Sequence, residues 1–324
     1  MITTLVGNYP KVAEKAYGTK LIGTISKWQR KELTDADLET TCREITSAVI
    51  AEQEQAGIDL VTDGQIRWED LLTPVAESIE GFETRGALTR WFNNNVLYRR
   101  ATLRRAPKRK GPALVESYRL AAKASRKPVK AVLPGPYTFA TASEDLHFKN
   151  LRRFTLALAD ILNAEARDLA QAGAAFIQFD EPAMGFGKTN YKLATEALGV
   201  AAKGVKAKTA VSTYFGSLNG GLAALAKTPV DVIGVDLVSD PASLQNLVKS
   251  KVTKEIALGC VDARNTKLET VKDLHRIFAA VLKRVPADRL YVNPNCGLEF
   301  LPHPQAVAKM RRMVEAVRTY RAKT

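Results

Sequence analysis

Carboxylates, a thiol and a guanidinium recur in this chain directly after short apolar runs. Asp63-Gly64-Gln65 follows the run at residues 58–62, Asp180-Glu181-Pro182-Ala183 follows 174–179, and Asp236 follows 230–235. Ser212, Thr213 and Tyr214 close the run that begins at 209, Asp262 and Arg264 follow 256–261, and Cys296 follows 290–293. Asn8 stands just past the first run, 2–7. A carboxylate can hold a cation or a proton, a thiol can bind a metal or attack as the thiolate, and a nearby guanidinium favours that thiolate. Each residue alone has a plainer reading. Asp180-Glu181-Pro182 suits a capping turn, Asp236 before Pro241 suits turn chemistry, and Cys296 suits a small buried hydrophobe. The signal lies in the set.

The elements that must position this set read as strands alternating with helices. Runs at 2–7, 58–62, 129–133, 174–179, 209–213, 230–235, 256–261 and 290–293 are continuously apolar, as expected of parallel strands buried on both faces. Between the first two, Thr34 reads as an N-cap with Asp35 and Asp37 in the first turn, and Gly57 as the stop. Leu151, Phe154, Leu158, Ile161, Leu162 and Leu169 fall at helical spacing before Gly173, and 192–203 reads as another helix. Eight strands at this spacing predict one (β/α)8 TIM barrel over residues 1–324, with the chemistry at the carboxyl ends of its strands. An open doubly wound sheet is the runner-up, but the Gly-rich phosphate loop it wants is absent. Residues 68–126 break the rhythm, with Asn93-Asn94-Asn95 in their middle, and read as an irregular hairpin or arm leaving the barrel between the second and third strands.

Composition sets the bounds. Of 324 residues, 46% are hydrophobic and 25% charged, which is ordinary for a globular chain able to bury a core. No apolar run reaches the roughly 20 residues that span a bilayer, and the N-terminus has no basic leader or cleavage site. Cys42, Cys260 and Cys296 are too few and too scattered for a disulfide framework, so a cytoplasmic location is expected. The formal net charge is +14, with Arg99, Arg100, Arg104, Arg105, Lys108, Arg109 and Lys110 crowded together. That segment suits a solvated surface first and an anionic ligand second; no nucleic-acid motif accompanies it.

Five runs in order give a further reading. Val6-Gly7-Asn8-Tyr9-Pro10, Asp63-Gly64-Gln65, Leu133-Pro134-Gly135-Pro136, Ile177-Gln178-Phe179-Asp180-Glu181-Pro182-Ala183 and Val292-Asn293-Pro294-Asn295-Cys296-Gly297-Leu298 resemble the catalytic, C-terminal barrel of cobalamin-independent methionine synthase. The resemblance covers essentially the whole chain and is similar in extent to the short, single-barrel members. It implies a TIM barrel, transfer of a methyl group to the thiol of homocysteine, and a folate or corrinoid methyl donor. It also implies a zinc ion that holds the thiolate.

Carried over by that resemblance, Cys296 is a metal ligand and Asp236 a shorter stand-in for the acidic ligand. The two remaining ligand positions fall on Ser212 and Tyr214, which flank Thr213, so two of four zinc ligands are missing. Gly7, Asn8, Gln65, Asp180 and Glu181 fall on substrate-binding positions. There Asn8 replaces the usual Ser, Gln65 the usual Glu, and Asp180 faces the amino group. Asp180, Tyr214 and Arg264 are the expected catalytic residues, the last two taking over part of the metal's task on the thiol. Among the histidines only His303 is a candidate substitute ligand; His147 and His275 are expected in helices, and Cys260 in the core. The expected partners are a small thiol and an anionic methyl donor or corrinoid protein, with no nucleic acid and no membrane. The alternatives are a different alkyl transfer, a lyase or decarboxylase reaction on the same barrel, and a non-catalytic ligand-binding relative.

Overall fold

The computed structural model describes residues 1–11, 18–94, 96–218 and 220–321; Asn95, the last residue of the expected Asn-rich centre, lies outside them. Thirteen strands occur among the described residues. They are β1 (Ile2–Thr3), β2 (Val61–Thr62), β3 (Ile79–Glu83), β4 (Leu88–Arg90), β5 (Leu97–Arg99), β6 (Thr102–Arg109), β7 (Val129–Pro134), β8 (Glu144–Asp145), β9 (Phe176–Asp180), β10 (Lys208–Ser212), β11 (Val232–Asp236), β12 (Glu255–Val261) and β13 (Leu290–Pro294).

Eight of them form one sheet in the order β1-β13-β12-β11-β10-β9-β7-β2. Ile2 pairs with Tyr291, Val61 with Val129, Ser212 with Asp180 and again with Gly234, all in parallel register. A parallel bridge from Thr4 to Leu60 joins the two ends of that order. The fold is therefore the α/β barrel expected, each of the eight apolar runs contributing its strand. β7, β9, β11 and β13 are buried at every position, which explains why their sequences do not alternate.

Contacts gather in two compact units. The first comprises Met1–Arg67, Arg119–Lys130 and Leu258–Thr324. Its helix Asp35–Ala56 opens with a capping box between Thr34 and Asp37 and closes at Gly57, whose φ of 90° an L side chain rarely adopts. Helix Gly18–Gln29, which the apolar pattern did not announce, packs on it. Helix His303–Arg321 buries Met310, Met313, Val314 and Val317.

The second unit comprises Trp68–Tyr118 and Ala131–Ala257. Helices Leu151–Gln171 and Tyr191–Ala202 lie against each other, capped by Asn150 and Asn190. The segment expected to be irregular is ordered. β3, β6 and β8 form a three-stranded sheet, β4 and β5 an antiparallel hairpin, and Val115–Ala124 a helix. Its polarity comes from exposure: Arg104 and Arg105 of β6 face solvent. Three members of the basic run are paired, Arg99 with Glu69, Arg104 with Glu83, and Arg109 with both Glu165 and Asp168.

His147 lies in a bend rather than a helix, because Asp145 caps the turn through the amides of His147 and Phe148. His275 is helical as expected. Among the described residues no helix is long and apolar enough to cross a membrane.

Candidate active site

In the second unit the carboxyl end of β9 carries Asp180, only 2% exposed. Gln178, two residues earlier and so on the same face of the strand, donates Nε2 to its Oδ1 at 2.6 Å. Tyr214, past the end of β10, donates its hydroxyl to Oδ2 at 3.0 Å. A buried carboxylate with two donors is held in one rotamer.

Glu181 turns the other way. Its carboxyl accepts from the amide of Tyr137 at 2.9 Å and from the amide and hydroxyl of Thr138 at 2.7 and 2.6 Å. These groups form the first turn of helix Pro136–Thr141, whose own N-cap, Gly135, has no side chain to offer. A Cβ at Gly135 would collide with the Glu181 carboxyl, so glycine is required there. Burial pushes the Glu181 carboxyl up to about 7, against the hydrogen bonds from Thr138 and Tyr137 and with a small push from the Asp180 charge.

Asp236 ends β11 and organises two loops. Oδ1 accepts from the amides of Val238 and Ser239, while Oδ2 accepts from the Phe215 amide and the Ser239 hydroxyl. The Thr213 hydroxyl is donated to the Gly234 carbonyl. These bonds are what holds Tyr214 and Phe215 in place; Phe215 sits at φ 70°.

A cavity of about 440 Å³ opens beside these loops, with walls that include Arg90, Trp91, Phe92, Tyr98, Tyr137 and Lys188. Trp91 meets Tyr98 edge to face at 4.9 Å, and Phe92 meets Phe186 at 5.2 Å. Sequence reasoning missed this wall; the aromatic spacing Trp91-Phe92…Tyr98 on a basic hairpin was the available signal.

In the first unit the loops after β1, β2 and β13 interlock. Thr62 donates its hydroxyl to the Gly7 carbonyl, Tyr9 its amide to Gly64, and Leu298 its amide to Asn8. Gly64 and Gln65 both take left-handed φ values, 69° and 50°, the second a strained position for a residue with a Cβ. Asp63 caps this turn through the Gln65 amide at 2.9 Å, and burial pushes its carboxyl up despite that bond and the charges of Lys11 and Arg67. Gln65 is 2% exposed, and its amide lies about 3.2 Å from where a Cβ of Gly7 would stand.

Cys296 is fully buried at the end of β13. Its neighbour Asn295 ties the strand ends together, donating its amide to Val261 and accepting from Ala263. Arg264 is exposed, its amide donated to Asp262. His303 hydrogen-bonds Glu52 at 2.8 Å and packs edge-on against Tyr9, an interaction that accounts for its position. Cys260 lies in the core of β12, its thiol pushed up to about 12 by burial. Glu299, which the sequence did not single out, is half-buried beside Gly297; burial pushes its carboxyl up to about 7, while Lys11 and the Asn8 side chain pull it down.

The donor set does not fit an ordinary tetrahedral zinc. Asp236 has both oxygens committed to loop hydrogen bonds, Tyr214 is committed to Asp180, and Ser and Thr are poor ligands. Among the described residues no three His, Cys, Asp or Glu side chains are grouped to hold a metal ion.

Comparisons with known proteins agree with this architecture. The family described as cobalamin-independent synthase, catalytic domain, matches residues 1–319. A methionine synthase of Saccharolobus solfataricus is 29% identical over 98% of this chain and 94% of its own length. That of Sulfolobus acidocaldarius is also 29% identical, over 97% of this chain and 90% of its length. Among solved structures, a B12-independent methionine synthase from Shewanella sp. W3-18-1 in complex with selenomethionine superposes with a TM-score of 0.84. It is 23% identical and covers 99% of this chain and 98% of that one. A methyltransferase from Methanosarcina mazei follows at a TM-score of 0.64 and 14% identity, over 98% and 94%. With matching residues from one end to the other, the chain belongs to the cobalamin-independent synthase family, of which it is a catalytic domain.

Proposed function

We propose that this protein transfers a methyl group to the sulfur of homocysteine and so forms methionine. The sulfur's electron pair makes the new S–CH3 bond, the carrier keeps the electrons of the bond it loses, and the thiol proton is given up. The observation that carries this reading is the Asp180 site in a family-matched chain. It is a buried carboxylate locked by Gln178 and Tyr214 at a strand's carboxyl end, where barrels of this kind keep their chemistry.

Asp180 supplies a substrate-facing charge, and Tyr214 orients it. Glu181 holds the neighbouring helix turn, and with it Tyr137, a wall of the cavity. Gly7, Asn8 and Gln65 belong to the acceptor's side of the reaction. Arg264 favours thiolate over thiol, weakly, since solvent screens an exposed charge, while the Tyr214 hydroxyl is already given to Asp180.

The cavity supports a methyltetrahydrofolate-type donor. Its size falls in the range of small-molecule sites; Trp91, Phe92, Tyr98 and Tyr137 offer ring faces and edges to a flat heterocycle, and Arg90 and Lys188 suit a carboxylate tail.

The test is methionine formation from homocysteine, with 5-methyltetrahydrofolate and methylcobalamin as donors, by the wild type and by Asp180→Asn. The reading expects turnover with at least one donor and a loss of about 100-fold in the variant. Equal rates in the two proteins would overturn the role of Asp180.

A further inference from the structure

Among the described residues, five that carry a Cβ hold a left-handed backbone, and two of the five meet each other. Phe92, in the turn between β4 and β5, has φ 50°, and Phe215, just past β10, has φ 70°. Their ring centres lie 5.8 Å apart. Both belong to the second unit. A bulky side chain rarely adopts this conformation, which persists only where its surroundings hold it, and such strain clusters at ligand clamps and switches. Two strained rings in contact, from loops far apart in the chain, call for an explanation.

What the two rings join is specific. Phe92 lines the cavity of about 440 Å³ and meets Phe186 edge to face at 5.2 Å. Phe215 stands behind that wall. It meets Tyr214 edge to face at 4.7 Å and donates its amide to Asp236 at 3.1 Å, while Tyr214 donates its hydroxyl to Asp180. The loops after β9 and β10 leave no slack between them, since a Cβ at Gly216 would collide with the Gly185 carbonyl. Phe92, Phe215 and Tyr214 thus form a series from the cavity wall to the Asp180 carboxylate. We infer that Phe215 is a positioning residue, through which a flat heterocycle in the cavity and an amino acid at Asp180 favour each other's binding. The heterocycle presses Phe92 onto Phe215 and so favours the left-handed turn that keeps the Tyr214 hydroxyl on Asp180; without it the strained turn relaxes more readily. The inference rests on the methyl-transfer reading, which puts the donor in the cavity and the acceptor at Asp180.

The test is calorimetric binding of L-methionine with and without saturating tetrahydrofolate, and of tetrahydrofolate with and without saturating L-methionine. The wild type is expected to bind each at least about fivefold more tightly when the other is present, by the same factor in both directions. Phe215→Gly deletes the ring and takes the left-handed backbone without strain, so it is expected to bring that factor to about one. Phe215→Tyr keeps the ring and is expected to keep the factor. A ring with a merely structural role would, when removed, lower both affinities and leave the factor standing. Circular dichroism checks that both variants fold. A factor of about one in the wild type overturns the inference without any variant, as does an undiminished factor in Phe215→Gly. A wild type that binds no tetrahydrofolate, or no methionine, overturns the methyl-transfer reading of the two sites, a separate outcome.

Discussion

The Glu181 carboxyl accepts both the amide and the hydroxyl of Thr138, at 2.7 and 2.6 Å, and so caps a helix that begins on a different strand's loop. This ties the loop after β9 to the loop after β7, and the Thr138 hydroxyl in turn receives the Ala183 amide at 3.2 Å. The two neighbouring carboxylates of the Asp-Glu-Pro-Ala run are thus divided: Asp180 is held by Gln178 and Tyr214, and Glu181 faces the scaffold.

Stability should carry the mark of that buried carboxyl. Folding raises its pKa from 4.5 to about 7, so between those values the folded state holds a proton that the unfolded chain has released. Stability therefore falls as pH rises from about 4.5 to 7 and levels off above, by on the order of 3 kcal/mol for this group. Urea denaturation at pH 5 and pH 8 measures it. Glu181→Gln, which mimics the protonated acid, should remove this share of the pH dependence; an unchanged slope would refute it.

How much of this was legible in the sequence divides along physical lines. The eight barrel strands were, because burial on both faces leaves an unbroken apolar run that ends where polar residues are spared from packing. The Thr34–Asp37 box and Gly57 were, because caps are local. β6 was not: its Arg104, Arg105 and Lys108 read as a solvated basic run, since a strand exposed on one side needs pairing, not apolarity, to form. The burial of Glu299 was not either, because Asn8, which it meets over Gly297, lies at the other end of the chain. Helix Gly18–Gln29 carries no acidic residue in its first turn to announce it.

The aromatic cavity predicts a separable effect on the methyl donor. Trp91→Ala removes a ring face and the edge contact with Tyr98, so the donor's KM should rise about tenfold with kcat little changed. Steady-state kinetics with the donor varied and homocysteine saturating reads this directly. A fall in kcat at constant KM would move the donor elsewhere.

Arg264 offers a pH test. Removing a cation that favours the thiolate raises the thiol's pKa, so Arg264→Leu should move the rising limb of the pH–rate profile upward. Because the residue is exposed, the shift should be less than about one pH unit. A profile that does not move would take Arg264 out of the chemistry.

The most direct measurement follows the methyl group itself. Purified protein is given homocysteine with 5-methyltetrahydrofolate and, separately, with methylcobalamin, each carrying a 13C methyl, and the products are read by NMR. The account predicts labelled methionine, one per donor consumed, with at least one donor. No label in methionine from either donor, with the protein folded, would contradict it.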